Sequence, residues 1–472
     1  MLCLQGCVAV GPDYVPPDNN PPHGWQAHQS SASLNDDESQ RLSHWWEQLD
    51  DPILTELIAE AVANNWDIRE AEARIREARA RRGSVAADRW PVITGGSSVR
   101  QTRIDPPQTP GSNTRLYDAG LDARWELGLF GGKRRALEAA TADWQASQLD
   151  HADLLVSITA EVALNYIDLR AFQTRLAITR RNLASQADTL DIASWRQQAG
   201  LTTQVDVEQA RQNLEQTRAQ IPALVTARQQ ALNRLATLLG GYPGELTDRL
   251  STTRPIPTAT LDLAIGVPAE ALRRRPDIRA AERRLAAQTA LIGVATAARY
   301  PDMTLVGSVG VESLASRELF SSNTFLTSAI ADLGLTLFDA GRLRRNIEIQ
   351  SAAESQALNR YESAIRLALE EVENGLVAYA QEQLRRHSLA SATDAAELAA
   401  ELVRRQYGSG LVDFQRVLDA ERSVLTLQDQ LATSDGQITA NLIRLYKALG
   451  GGWTPLQPGT TAQLDRRDPN HE

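Results

Sequence analysis

Two periodicities take turns along this chain. In 133–240 and again in 343–450, apolar residues recur at seven-residue spacing. Leu155, Val162, Leu169, Leu176, Leu183 and Leu190 form one series; Val417, Val424, Leu431, Ile438 and Leu445 form another. The first-half counterpart of the second series reads Val207, Leu214, Ile221, Arg228 and Leu235. A sustained heptad stripe predicts helices that supercoil around neighbours. The run 133–199 would be roughly 100 Å long at about 1.5 Å per residue. Helices of compact domains average only about 10–14 residues.

The second periodicity is two. In 116–129 the odd positions read Tyr117, Ala119, Leu121, Ala123, Trp125, Leu127 and Leu129, against Asp118, Asp122, Arg124 and Glu126 at even ones. In 303–311, Met303, Leu305, Val309 and Val311 alternate with Thr304 and Ser308. This alternation predicts half-buried strands. With the less regular partners 92–101 and 325–337, it gives two hairpins, joined through loops 105–113 and 313–323. Aromatic residues near the strand ends suit a bilayer interface. Four strands cannot close a barrel, and lipid tolerates no open edge, so lipid-facing strands would force oligomerisation. A pair of hairpins in a soluble sheet fits the alternation equally well.

Both patterns are written twice. Asp67-Ile68-Arg69 recurs as Asp277-Ile278-Arg279, Arg89-Trp90-Pro91 as Arg299-Tyr300-Pro301, and Leu239-Gly240-Gly241 as Leu449-Gly450-Gly451, all at an offset of 210. Matches in one register predict an internal duplication. The first repeat is 45–250: a helix at 52–88, a β-hairpin at 91–129 and a helical hairpin at 133–240. The second is 260–455: a helix at 268–298, a β-hairpin at 302–338 and a helical hairpin at 343–450. Pro255 and Pro257 punctuate the joint. Residues 1–44 form an extended N-terminal segment, and 456–472 a polar tail.

Composition narrows the function. The formal net charge of −10 disfavours a nucleic-acid-binding body. No run of 18 apolar residues predicts a membrane-spanning helix, which leaves β-strand insertion open. Gly-rich phosphate loops, a nucleophile elbow and His/Cys metal clusters are all missing, so neither an enzyme nor a metal or other cofactor is expected. Pairs such as Glu370-Glu371 and Arg404-Arg405 fit solvated helix faces. Both cysteines, Cys3 and Cys7, lie at the N-terminus. Leu4-Gln5-Gly6-Cys7 matches the end of a bacterial lipoprotein signal, with Gln5 an imperfect member. Cys7 is therefore the expected site of a covalent lipid anchor.

These residues together resemble the TolC-like outer-membrane efflux proteins, in the lipoprotein branch that serves resistance-nodulation-division (RND) pumps. "CVAVGPDYVPP" (7–17), the helix within 45–79, "WELGLFGGKRR" (125–135), "LFDAGRLRRNIE" (337–348), "YESAIRLALEEVENGLVAY" (361–379) and "YGSGLVDFQRVLDAERSVL" (407–425) carry the resemblance. It covers nearly the whole chain. It implies an α+β membrane protein and a homotrimer, with a 12-stranded transmembrane β-barrel continuous with a long periplasmic α-helical barrel. It implies an outer-membrane location with lipid contact and no nucleic acid. The partners implied are a periplasmic adaptor (membrane fusion) protein and an inner-membrane RND pump. The role implied is that of a passive exit duct. The exported compound is not legible here. Two other readings fit parts of the pattern: the duct of a type I protein secretion system, and a soluble coiled-coil scaffold without a pore.

The resemblance locates function at the two helix-to-helix turns, 197–211 and 405–422. Gly200, Leu201, Thr202, Gly410, Leu411 and Val412 are the expected adaptor-docking tips. Asp206, Asp413, Gln415, Arg416 and Asp419 are the expected aperture residues. Arg416 is a departure, because the family's matching position is commonly acidic. Its charge suggests a mixed ring in which Arg416 bridges to Asp419 or Asp206. An ordinary solvated helix pair is the plainer alternative.

Overall fold

The computed structural model describes residues 9–18, 22, 24–26, 41–104, 112–258 and 268–453. Cys7, most of the loop 105–113 and the tail 456–472 lie outside the described residues. A 3-10 turn at Trp45–Leu49 precedes helices α1 (Pro52–Asn64) and α2 (Trp66–Ala87). Strands β1 (Val92–Ile104) and β2 (Ser112–Glu126) follow, then α3 (Gly132–Gln198) and α4 (Gln204–Leu238). The second half gives α5 (Pro268–Arg274), α6 (Pro276–Ala297), β3 (Asp302–Ser313), β4 (Phe325–Gly334), α7 (Arg342–Gly408) and α8 (Phe414–Ala448). Helices α6, α7 and α8 begin and end 210 positions after α2, α3 and α4. None of the described helices is long and apolar enough to cross a membrane.

Two helices read from sequence as continuous, 52–88 and 268–298, are each broken once. Asn65 leaves the helical region at ψ 135°. Its Oδ1 accepts from the Asp67 and Ile68 amides at 2.9 and 3.2 Å, and its Nδ2 donates to the Leu238 carbonyl at 2.8 Å. In the second half the break falls at Arg275, because the Pro276 ring disfavours helical geometry in the residue before it. Arg275 Nη1 donates to the Ala448 carbonyl at 3.0 Å, the position equivalent to Leu238. Its guanidinium also holds Asp277 and Glu371, so Glu371 is not merely a solvated charge.

The chain divides into two compact units. One comprises 1–19, 73–149 and 279–364. Its sheet has the order β1-β2-β3-β4, antiparallel throughout. The register pairs odd residues with odd ones across every ladder: Ile93 faces Ala123, Leu121 faces Val309, and Val311 faces Phe325. One face of all four strands therefore carries the odd positions. From Ile93 to Val99, Tyr117 to Trp125, Met303 to Val311 and Phe325 to Leu333, that face bears no charge. Arg100, Asp118, Asp122, Arg124, Glu126, Glu312 and Asp332 all fall on the other. Val99, Phe325 and Leu333 are each more than 60 % exposed, although they sit on the apolar face. Beneath the sheet, Ala139 and Ala142 of α3 pack on Ala286, Ala287 and Ala290 of α6.

The other unit comprises 20–72, 150–278 and 365–472. Its core gathers Trp45, Leu54, Leu57, Ile58, Tyr166, Leu169, Leu235 and Tyr446. The N-terminal segment is not wholly peripheral, since Trp25 and Leu42 belong to this core. Trp45 stacks on Tyr446 at 5.7 Å. The buried Arg170 reaches the Thr252 carbonyl and the Tyr166 hydroxyl, which donates to Asp51 at 2.7 Å. Asp51 also caps α1 through the Ile53 and Leu54 amides.

Candidate functional site

The two turns are built alike. After α3, the Leu201 amide donates to the Arg196 carbonyl at 2.8 Å and the Gly200 amide to Gln197 at 2.9 Å. After α7, Leu411 donates to Gln406 at 2.9 Å and Gly410 to Tyr407 at 3.0 Å. This bonding closes a helix with a residue in the left-handed region. Gly200 and Gly410 occupy it, at φ 72° and 76°. Helix α7 runs through Gly408, so Gly410 is the residue that makes the reversal. Leu201 and Leu411 project outward, 68 % and 75 % exposed, while Thr202 and Val412 are half-buried.

The helices that leave the turns are capped differently. Thr203 starts α4 in a reciprocal capping box with Asp206. Asp206 accepts from the Thr203 amide at 3.0 Å, the Thr203 hydroxyl at 2.9 Å and the Thr202 hydroxyl. Those hydrogen bonds, the one from Thr202 foremost, hold its carboxyl below the usual range. Asp413 starts α8 by accepting from the Arg416 amide at 3.1 Å. Asp206 and Arg416 thus occupy equivalent positions, and only Asp206 bonds back to its own cap.

The expected bridge from Arg416 to Asp206 or Asp419 is not formed within the chain. Asp206 is committed to its cap. Asp419 accepts from Gln415 Nε2 at 3.0 Å, one turn back on its own helix, and lies 3.8 Å from Arg422. Asp413, Gln415, Arg416 and Asp419 are all exposed, and the Arg416 guanidinium has no partner among the described residues.

Sequence reasoning missed what joins the two turns. Ala193 of α3, Val207 and Ala210 of α4, Tyr407 of α7, and Phe414, Val417 and Leu418 of α8 form one apolar cluster. The Tyr407 and Phe414 rings lie 5.3 Å apart. The Arg196 guanidinium sits 4.7 Å over the Tyr407 ring, and its Nη1 donates to the Tyr407 carbonyl at 3.4 Å. A cation over a ring adds about 0.5–1 kcal/mol at an exposed site. The available signal was a difference between repeats: Gln197 stands where Tyr407 has its counterpart, and Gln406 where Arg196 does.

Near the sheet, the strap that follows Cys7 is firmly seated. The Val10 amide donates to the Phe130 carbonyl at 3.2 Å. Arg135, with only 5 % of its side chain exposed, reaches Asp13 at 2.6 Å and the carbonyls of Val10 and Gly11 at 3.3 Å. A Cβ on Gly11 would lie 2.4 Å from Gly293 Cα, so the strap approaches α6 as closely as only glycine permits. Tyr14 donates to Glu282 at 3.3 Å. Among the described residues no cluster of His, Cys, Asp or Glu could hold a metal ion.

A sheet with an uncharged central band on one face, long paired helices and two like-built turns fit the class of outer-membrane channel proteins. The family profile of the outer membrane efflux protein matches residues 57–241 and 267–451, one match per repeat, and the chain belongs to that family. It is 31% identical over 464 residues to the solvent efflux pump outer membrane protein SrpC of Pseudomonas putida, covering 97% of this chain and 98% of SrpC. It is 29% identical over 455 residues to the probable outer membrane lipoprotein SilC of Salmonella typhimurium, covering 96% and 97%. Among solved structures, the outer-membrane channel OprN superposes with a TM-score of 0.88 at 38% identity, over 94% of this chain and all of OprN. The protein is an outer-membrane channel component of an efflux system, and its family is one of transport components.

Proposed function

We propose that three copies of this chain close a twelve-stranded barrel in the outer membrane, and that their long helices form a periplasmic tube ending at the paired turns. The single observation that carries this is the parity of the sheet. Over Ile93–Val99, Tyr117–Trp125, Met303–Val311 and Phe325–Leu333 one face is uncharged, with Arg103 and Arg115 beyond that band, and among the described residues the outer edges of β1 and β4 have no strand partner. Lipid does not tolerate such edges, so closure requires further copies. The charged face then lines the water path. Each chain contributes two of these repeats to the wall, as an internal duplication.

In this reading solute passes from an inner-membrane RND pump through an adaptor to the exterior. Gly200, Leu201, Thr202, Gly410, Leu411 and Val412 are the adaptor-docking surface. Asp206, Asp413, Gln415, Arg416 and Asp419 surround the aperture, and Cys7 carries lipid, as the name of SilC supports. Arg416, whose guanidinium has no partner among the described residues, is available to a neighbouring copy. The test is planar-bilayer recording of the detergent-purified protein beside its heat-sensitive oligomer on gels. A trimer with discrete channels is expected, and charge reversal at Arg416 or Asp419 should raise conductance or shorten closures. A monomer without channels refutes the duct; wild-type conductance and closed times in both variants refute the aperture assignment.

A further inference from the structure

Behind the tip the bundle changes character. The apolar cluster ends at Leu190 of α3 and Leu418 of α8. The next residue buried on α8 is Glu421, only 2 % exposed. Its Oε1 accepts from the Thr189 hydroxyl of α3 at 2.6 Å and from Arg404 Nη2 of α7 at 3.1 Å. Its Oε2 is buried and meets no donor among the described residues. Arg404 is thus not simply a solvated charge, and it also reaches the Ser185 hydroxyl at 2.5 Å.

Two more buried side chains belong to this layer. Gln186, one turn from Thr189, is 2 % exposed and neither atom of its amide has a partner. Asn213 of α4, also 2 % exposed, accepts from Arg422 at 2.9 Å, while its Nδ2 is unmatched. Apolar packing resumes with Ile178, Leu425 and Ala432. A polar layer touching all four long helices therefore separates the tip cluster from the shaft. Buried polar atoms without partners are costly, and hydration relieves that cost.

We propose that this layer is the joint at which the tip opens, that opening admits water to Glu421, and that acid therefore holds the tip closed. The inference rests on the conduit reading. Burial pushes the Glu421 carboxyl up, against the opposing pull of Thr189 and Arg404. Water would return it toward the ordinary carboxylate range. The closed form thus binds the proton more tightly, and falling pH favours it. The charged group facing Glu421 is Arg404 from α7. From α3 come Ser185, Gln186 and Thr189, and from α4 Asn213. Arg422 on α8 is engaged by Asn213, and Arg211 of α4 by Glu208 at 3.1 Å.

The experiment records the full chain in planar bilayers while the pH on the tip side steps from about 8 to about 5. Open probability should fall as the pH drops, the direction that tighter proton binding by the closed form gives. E421Q keeps the accepting oxygen but not the charge, and should stay mostly closed at every pH. T189V removes a donor to the charged form and should move the transition to higher pH. An E421Q response like that of the wild type, or closure on raising the pH, overturns the inference alone. Absence of channels in the wild type overturns the conduit reading and this inference with it.

Discussion

Gly310 is the strictest test of the sheet. It pairs with Gly120 across the β2–β3 ladder. An ideal Cβ on Gly310 would lie 2.7 Å from the Ala119 carbonyl oxygen and 3.0 Å from Gly120 Cα. Both are backbone atoms, so no side chain can swing aside. Gly96 pairs with Gly120 on its other edge, and a Cβ there meets nothing within 4 Å. Neither residue has a positive φ, so contact alone distinguishes G310A from G96A. Overpacking costs about 1–3 kcal/mol per site. In each chain that is a substantial part of an ordinary folding free energy of about 5–15 kcal/mol. All three glycines lie on the charged face, opposite the one proposed to meet lipid. The assay is the temperature at which the detergent-solubilised oligomer dissociates, read on gels. G310A should dissociate well below wild type and G96A close to it. Equal behaviour of the two, or a weaker G96A, would refute the register.

Other expectations can be checked singly. R196A and Y407A should each speed amide exchange at 193–210 and 407–418, with Y407A the larger because truncating a buried aromatic costs about 3–5 kcal/mol; exchange confined to one hairpin would argue against the shared cluster. The folded pKa of Asp206 is depressed, so its contribution to the turn is complete at neutral pH and lost as the pH falls through that lowered value; D206N should abolish the acid-induced rise in local exchange. Asp153 is raised to about 6 by burial first and by Asp277 next, so it weakens the fold above pH 6 and less below it. Thermal melts of D153N should therefore exceed those of the wild type at pH 8 and converge with them near pH 5.

How far the sequence could be read depended on the range of each signal. The 210-residue offset and the heptads set the long helices to within a residue or two, because both repeat over many turns. The strands were legible where Tyr117–Trp125 alternate cleanly, and β4, with its run of small residues, needed its partner's register. The breaks at Asn65 and Arg275 differ in kind: Pro276 announces one locally, whereas Asn65 breaks its helix by bonding to Leu238, 173 positions away. At the tips, Gly200 and Gly410 declared the turns. Arg196 on Tyr407, and Glu421 between Thr189 and Arg404, join different helices, and no spacing along the chain encodes such pairs. Arg404 read as one of a solvated pair, and nothing along the chain marks Glu421 as buried, because its burial is set by the other helices packed around it.

The unequal chemistry of the two turns has a consequence for docking. The proposed ring of three chains would present six turns, alternately of two kinds. One kind carries the Thr203–Asp206 box and contributes Arg196; the other carries Asp413 with an Arg416 guanidinium that has no partner among the described residues, and contributes Tyr407. A docking protein that places one identical subunit against each turn meets two environments, not one. Its six copies would sort into two sets of three, distinguishable by which of them feels a substitution at Arg416.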